Sequence, residues 1–431
     1  MEKRKVFLRR CDTTDPATVR GIVSECFNEL GFIPKGRVLI KPNVVTANRG
    51  YIHHSFTHPG VIEGAIRVIK ESGEATGITI GESSGFGIPP GLFLHEAGYD
   101  RLAKRLGVKL VDYNEDSSQW VTLRKAVHQT GFNVADSILQ ADTKIWMPKL
   151  KYHICCQVTN SVKLNIGILQ HRDRMVCHDD RLNDKIVDLL EIGYPDIVVS
   201  DAVNIGHGYE SAPQAFPLGL LLVSNDPVAA DAVAGAALGY EPEEIIHLKK
   251  ASERGYGSIR LEDIEILGDY PLDELQYKTR DIVSEYQDIQ KVETPIDFYC
   301  GDAPSGSFCY GGCLAAVKGC LGTIDKRCPG AVRNARPGAI VTGIYHGDVI
   351  QPGKPVFLVG DCTEVKGRLE AGKVVRLPGC PVGAYNLLLR LPFTFKMPSP
   401  MSDTKSIFPF IYYFLRHAHR SLRLRIREKL K

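Results

Sequence analysis

Between Lys5 and Tyr240 short apolar runs recur at helix-length intervals, and this alternation constrains the fold more than any other feature of the chain. "KVFLRR", "RVLIKPNVV", "GITIGESSG", "KLVDYN", "KIWMPKLKYH", "DIVVSDAVNIG" and "GLLLVSNDP" read as strands. "DPATVRGIVSECFNELG" and "THPGVIEGAIRVIKESG" read as helices between them. Asp15 is placed to cap the first helix, with Pro16 in its first turn and Gly31 at its end. Thr57 is expected to cap the second, whose Val61, Ala65, Val68 and Ile69 share one face. Apolar strands joined through helices predict an α/β fold, a mostly parallel sheet covered by helices on both faces.

This α/β domain is expected to span 1–269. A polar stretch, 270–296, reads as a helical linker. Over 297–398 the composition shifts to Gly, Pro and Cys with short strands, predicting a smaller Cys/Gly-rich domain. A basic helical tail, 399–431, closes the chain. Hydrophobic residues make up 44% and charged residues 24% of 431, the balance of a soluble globular protein. No apolar run reaches bilayer-spanning length, and the N-terminal stretch lacks the apolar core of a signal peptide. A cytoplasmic setting with reduced thiols is therefore expected.

In a parallel sheet, ligands bind beyond the carboxyl ends of the strands. Here those ends carry Lys41 and Asn43, Glu82, Lys149, Lys151 and His153, Asp201, and Asn225 with Asp226. With Lys163, the set Lys41, Asn43, Lys149, Asp201 and Asp226 predicts a site for an anionic small molecule. Lys149, Lys151, His153 and Glu82 are the candidates for proton transfer on a phosphate- or carboxylate-bearing substrate. The plainer reading is that loops are polar because their backbone is solvated, and that Asn225 or Asp226 caps the helix starting at Pro227. His171, Cys177 and His178 form a loose metal-like group whose spacing follows no fixed ligand rule.

Cysteines crowd the last third of the chain. "SFCYGGCLAAVKGC" carries Cys309, Cys313 and Cys320; Cys362 and Cys380 follow at glycine-rich turns. In a reducing compartment such a cluster means metal ligation, thiol chemistry or burial. Paired Cys-x2-Cys zinc knuckles and the ferredoxin run are absent. The Cys-x3-Cys-x2-Cys spacing fails because position 316 is alanine. What remains is a dispersed set, Cys309, Cys313, Cys362 and Cys380, with Cys320, Cys300 and Cys328 as substitutes for the first. Closing the loop of about 50 residues from Cys313 to Cys362 costs about 3.5 kcal/mol, against roughly 10 kcal/mol from a thiolate–metal site. Four thiolates from three turns suit a 4Fe–4S cluster; zinc and plain burial are the alternatives.

The order and spacing of "KPNVV", "THPGVIEGAIRVIKESG", "IGESSG", "MPKLKYH", "VKLNIG", "DIVVSDAV" and "SNDPVAADAVAGAALGY" resemble the domain of unknown function 362 family from about Val6 to Gly257. "CYGGC", "VGDC" and "GCPVG" resemble the cysteine-bearing C-terminal part of some members. The resemblance implies association with an iron–sulfur cluster, held here in the chain's own C-terminal fold because no ferredoxin run is attached. It implies no substrate or reaction.

From Arg416 to Lys431 seven Lys/Arg face one Glu, which leaves the remainder of a chain of net charge +3 acidic. No broad basic stripe marks the body, and a specific nucleic-acid partner is not expected. In 407–431, Ile411, Leu415, Ala418, Leu422, Ile426 and Leu430 alternate with an arginine stripe, Arg416, Arg420, Arg423 and Arg427. Such a helix docks on an acidic surface, its own body or a partner, or makes peripheral membrane contact. The expected function is an iron–sulfur protein passing electrons to or from a redox partner protein. The alternatives are a cluster-containing enzyme acting on an anionic small molecule and a zinc-stabilised scaffold.

Overall fold

The computed structural model describes residues 4–85, 88–171, 173–174, 178–209, 211–282, 289–400 and 404–429. Its main sheet is built from β1 (Arg4–Arg10), β2 (Gly36–Pro42), β3 (Ala75–Glu82) and β4 (Lys109–Asp112). A separate hairpin, β5 (Ser118–Thr122) and β6 (Gly131–Ala135), follows. The main sheet resumes with β7 (Thr143–Met147), β8 (Lys149–His153), β9 (Gln157–Thr159), β10 (Ile197–His207), β11 (Gln214–Ser224) and β12 (Ile264–Gly268). Its order is β12-β1-β11-β10-β7-β2-β3-β4, with β8 pairing beside β10 and β9 pairing with β8. Every neighbouring pair along this order is parallel except those made by β11, which runs antiparallel to both β1 and β10. The fold is thus the mostly parallel α/β sheet expected, with β11 reversed within it and the short β9 antiparallel to β8.

Helices cover both faces. Pro16–Glu29 is capped by Asp15, whose carboxylate accepts from the amides of Ala17 and Thr18. Pro59–Ser72 is capped by His58 rather than Thr57. The Thr57 hydroxyl instead donates to the Met147 carbonyl at 2.5 Å and accepts from the Asn43 amide, stitching two strand ends together. These helices pack Val19, Val23, Ile62 and Ile66 against Val38, Ile40 and Val199 of the sheet. The opposite face buries Trp146, Leu220 and Leu222 under the alanine-rich helix Pro227–Ala237.

The stretch read as a helical linker is helical over Leu272–Thr279; residues 283–288 fall outside the described residues, and a short turn at Ile289–Lys291 leads into the second sheet. That sheet, β13 (Ile296–Cys300), β14 (Gly338–Tyr345), β15 (Val349–Val365) and β16 (Leu369–Leu377), is parallel throughout in sequential order. The helices Ala315–Arg327 and Ala384–Phe395 pack on it through Val317, Leu321, Leu387 and Leu391. The tail forms one helix, Thr404–Lys429. No described helix is long and apolar enough to cross a membrane.

Candidate metal centre and adjoining cavity

Two cysteine-bearing segments lie side by side on the second sheet. β15 and β16 last pair at Val359 and Leu377, just ahead of Gly360, where the register of β15 breaks, and of Pro378-Gly379. The segments are then tied by the Asp361 amide on the Gly379 carbonyl (3.1 Å) and the Gly379 amide on the Asp361 carboxylate (2.8 Å). Gly360 has φ +112°, and a Cβ there would stand 2.8 Å from Cys313 Sγ, so both conformation and space require glycine. Cys313 arrives from the turn before the helix Ala315–Arg327, its sulfur 3.9 Å from the Gly379 carbonyl oxygen.

Cys313 feels the charges of Cys309, Cys362 and Cys380, and Cys362 acts on Cys309 and Cys380. The structure therefore brings together the four thiols of the dispersed set. Of the substitutes, Cys320 points at the Ala384 carbonyl from inside its helix, Cys328 ends that helix, and Cys300 closes β13 level with Val359 and Leu377.

Burial pushes the Cys309 thiol up to about 11 and the Cys313 thiol to about 12. Asp179 and Asp180 raise Cys309 further, and Asp361 raises Cys362 and Cys380. Four neighbouring thiols beside acidic groups hold their protons unless a strongly cationic centre replaces them. Backbone amides of Gly312 and Val382 already point at Cys309 and Cys313, the hydrogen-bonding that stabilises sulfur carrying negative charge. The donor set fits an iron–sulfur centre. Among the described residues no three of these sulfurs lie within 4.8 Å of one another, wider than the roughly 3.8 Å between thiolates on tetrahedral zinc.

A cavity of about 470 Å³ adjoins this site. On one side are the ends of β2 and β3 and the segment 163–178, contributing Lys41, Asn43, Glu82, Lys163, Arg174 and His178; His153 of β8 lines it too. Lys41 Nζ meets Glu82 Oε2 at 2.7 Å, with both side chains almost completely buried. Burial pushes the Lys41 ammonium down and the Glu82 carboxyl up, while each partner's charge opposes that shift in the other. Gly167 lies across it; a Cβ there would clash with Glu82 Oε1 and Lys41 Nζ. His153 Nδ1 accepts from the amides of Cys155 and Cys156, and burial holds the ring neutral.

The other expected site residues lie apart from the cavity. Lys149 is locked to Asp201 at 3.0 Å, and the same carboxylate takes the His58 amide. Lys151 donates to the Ser55 carbonyl. Asp226 sits at the opposite edge of the sheet, because β11 runs antiparallel; it caps Pro227–Ala237 and meets Arg4 at 3.3 Å. Of the expected pocket, Lys41, Asn43, Glu82, His153 and Lys163 line the cavity, whereas Lys149, Lys151, Asp201 and Asp226 do not. Arg174, which the strand-end argument passed over, joins them: its guanidinium donates to Ser83 Oγ and the Ser84 carbonyl. Of the loose histidine–cysteine group, His178 lines the cavity, His171 faces the Arg174 guanidinium, and Cys177 lies outside the described residues.

Residues 38–236 match the model of a family described as Domain of unknown function (DUF362). The chain carries a DUF362 domain. The match is shorter than the resemblance read from the motifs and excludes the cysteine-bearing region. A curated relative, the thylakoid-associated protein sll1697 of Synechocystis sp. (strain ATCC 27184 / PCC 6803 / Kazusa), is 26% identical over 276 residues, covering 62% of this chain and 79% of that protein. Among solved structures, the lactate racemase apoprotein from Thermoanaerobacterium thermosaccharolyticum aligns with 79% of this chain and 70% of that one at a TM-score of 0.36 and 9% identity. At that level nothing about ligand or reaction carries over to the DUF362 domain.

The tail helix lies on the body. Phe410 stacks on Tyr385 with centroids 6.0 Å apart, Tyr413 packs near His95, and Arg416 and Arg420 both pair with the buried Glu115. Asp112, Glu115 and His417 approach one another closely, but the two arginines already neutralise Glu115, so this group pins the tail.

Proposed function

We propose that the protein holds a 4Fe–4S cluster on Cys309, Cys313, Cys362 and Cys380 and relays single electrons between a redox partner protein and an acidic small molecule in the adjoining cavity. The observation that carries this reading is adjacency. The helix starting directly after Cys313 contributes Ala315, Ala316, Gly319 and Cys320 to the cavity wall. On the other side, Cys380 is exposed and Cys362 half-buried, which leaves an approach for a partner. A bound cluster supplies one-electron exchange. Lys163 and Arg174 hold the acid, while Glu82 and Lys41 give or take the accompanying proton at Glu82 Oε2.

Anaerobic purification tests the reading. Four irons per chain, with broad absorbance near 400 nm bleached by dithionite, support it; a colourless protein containing zinc overturns it. Chemical reduction of the cluster should also be slowed when the Cys380 face is covered by a crosslinked partner.

A second reading concerns location. Phe393 (84% exposed), Phe408 (77%), Leu415 (62%) and Tyr412 (59%) leave the body beside a basic helix. Aromatic and basic side chains together suit the interface of an anionic bilayer. The relative's description as thylakoid-associated supports peripheral membrane contact.

A further inference from the structure

The two sides of the cavity differ in kind. Lys41, Lys163 and Arg174 line one side beside the Glu82 carboxylate, while the other lining carboxylate, Glu96, accepts from the Arg49 amide. Lys163 is only 7% exposed, and among the described residues its ammonium has no hydrogen-bond or ion-pair partner. A buried cation without a counter-charge is costly, and an anion from outside removes the cost. Across the cavity, the lining residues contributed by 315–411 include none that is charged: Ala316, Leu388, Ile407, Phe410 and Ile411 form an apolar wall and roof. The volume, about 470 Å³, exceeds what a bare acid group needs and is that of an ordinary small-molecule site.

We infer that the cavity takes an amphiphilic acid, with a carboxylate or phosphate monoester head at Lys163 and Arg174 and an apolar body against the C-terminal helices. This deepens the proposed function by naming the ligand class, and rests on that reading only for what the ligand does. A small polar acid leaves the apolar wall wet, and a neutral lipid leaves Lys163 without a counter-charge. Only a molecule carrying both parts satisfies both sides.

Calorimetric titration of the full chain, purified with its metal, decides the matter. The probes are dodecanoate and dodecyl phosphate below their micellar concentrations, with butyrate, inorganic phosphate and dodecanol as controls. At least one twelve-carbon acid should bind about tenfold or more tightly than every control. Lys163→Met should weaken that acid about tenfold while dodecanol stays within about twofold. Phe410→Ala should weaken the long acid and leave butyrate unchanged. Dodecanol or inorganic phosphate matching the acids, or Lys163→Met binding the acid as the wild type does, overturns the inference. Iron is measured on the same samples. Iron-bearing protein that ignores both acids sinks the ligand class alone, and iron-free protein that binds one sinks the cluster reading alone.

Discussion

The carbonyl oxygen of His178 lies 3.5 Å from the position a Cβ would take on Gly312, so a residue lining the cavity touches the cysteine turn. That Cβ would also stand 2.8 Å from Cys309 Sγ. Gly312→Val should therefore displace Cys309 and lower iron per chain by half or more, while urea unfolding of the main domain is unchanged. Cys313→Ala should remove the iron and Cys320→Ala should retain it, since Cys320 lies in a helix apart from the other sulfurs. Iron analysis and absorbance near 400 nm check both; equal loss in the two alanine variants contradicts the ligand set.

Glu82 and Lys41 form a buried ion pair, and removing one member leaves the other's charge without compensation. Glu82→Gln should cost about 3–5 kcal/mol in urea unfolding at pH 7. Lys41→Met combined with Glu82→Gln should recover most of it, because the stranded charge is gone. A double variant no more stable than the single one would show that packing, not charge, dominates.

Much of this was legible in the residues. Apolar runs such as "RVLI" and "DIVVS" announce buried strands whichever way they point, so the layered sheet follows from pattern. Direction does not follow: "GLLLVS" reads the same parallel or antiparallel, and only its pairing with Val6–Arg10 and Val198–Ala202 sends Asp226 to the far edge. The cysteines that meet sit at glycine turns where backbone can approach sulfur, whereas Cys320 sits in an amphipathic helix. Cavity and cysteines become neighbours through the docking of the C-terminal helices on the strand ends, a long-range contact that no local spacing encodes. Arg174 lies off the strand ends, in the stretch between Leu169 and Asp184, where strand-end reasoning does not reach.

Acid should destabilise the protein well above the usual carboxylate range. His247 is fully buried, and neither ring nitrogen has a hydrogen-bond partner. Burial, then the Lys163 charge, lowers it from 6.5 to about 3. The folded-state value lies below the unfolded one, so its contribution is fully present above about pH 6.5 and is lost as pH falls toward 3. His247→Leu should be near neutral at pH 7 and gain about 2 kcal/mol relative to wild type at pH 5. Asp231 works in the opposite sense: burial raises it to about 7, and its contribution declines as pH rises through that value. The His247 comparison at two pH values isolates one group from the other; a difference that does not change with pH would contradict it.

Glu115 is the anchor on which the tail is held, since Arg416 and Arg420 both reach it across about 300 residues of sequence. The arginines are part-exposed, so each pair contributes little alone, about 1 kcal/mol or less. Together with the Phe410–Tyr385 stack they keep half of the arginine stripe turned toward the body. Glu115→Gln should loosen the helix, seen as faster proteolysis within 404–429 with the core unaffected. It should also free arginine charge for lipid, strengthening sedimentation with vesicles containing phosphatidylglycerol and leaving neutral phosphatidylcholine vesicles behind. Phe408→Ser with Leu415→Ser should abolish that sedimentation, because an interfacial helix needs apolar area as well as charge. Binding that survives the double serine variant, or that ignores vesicle charge, would place the membrane contact elsewhere on the protein.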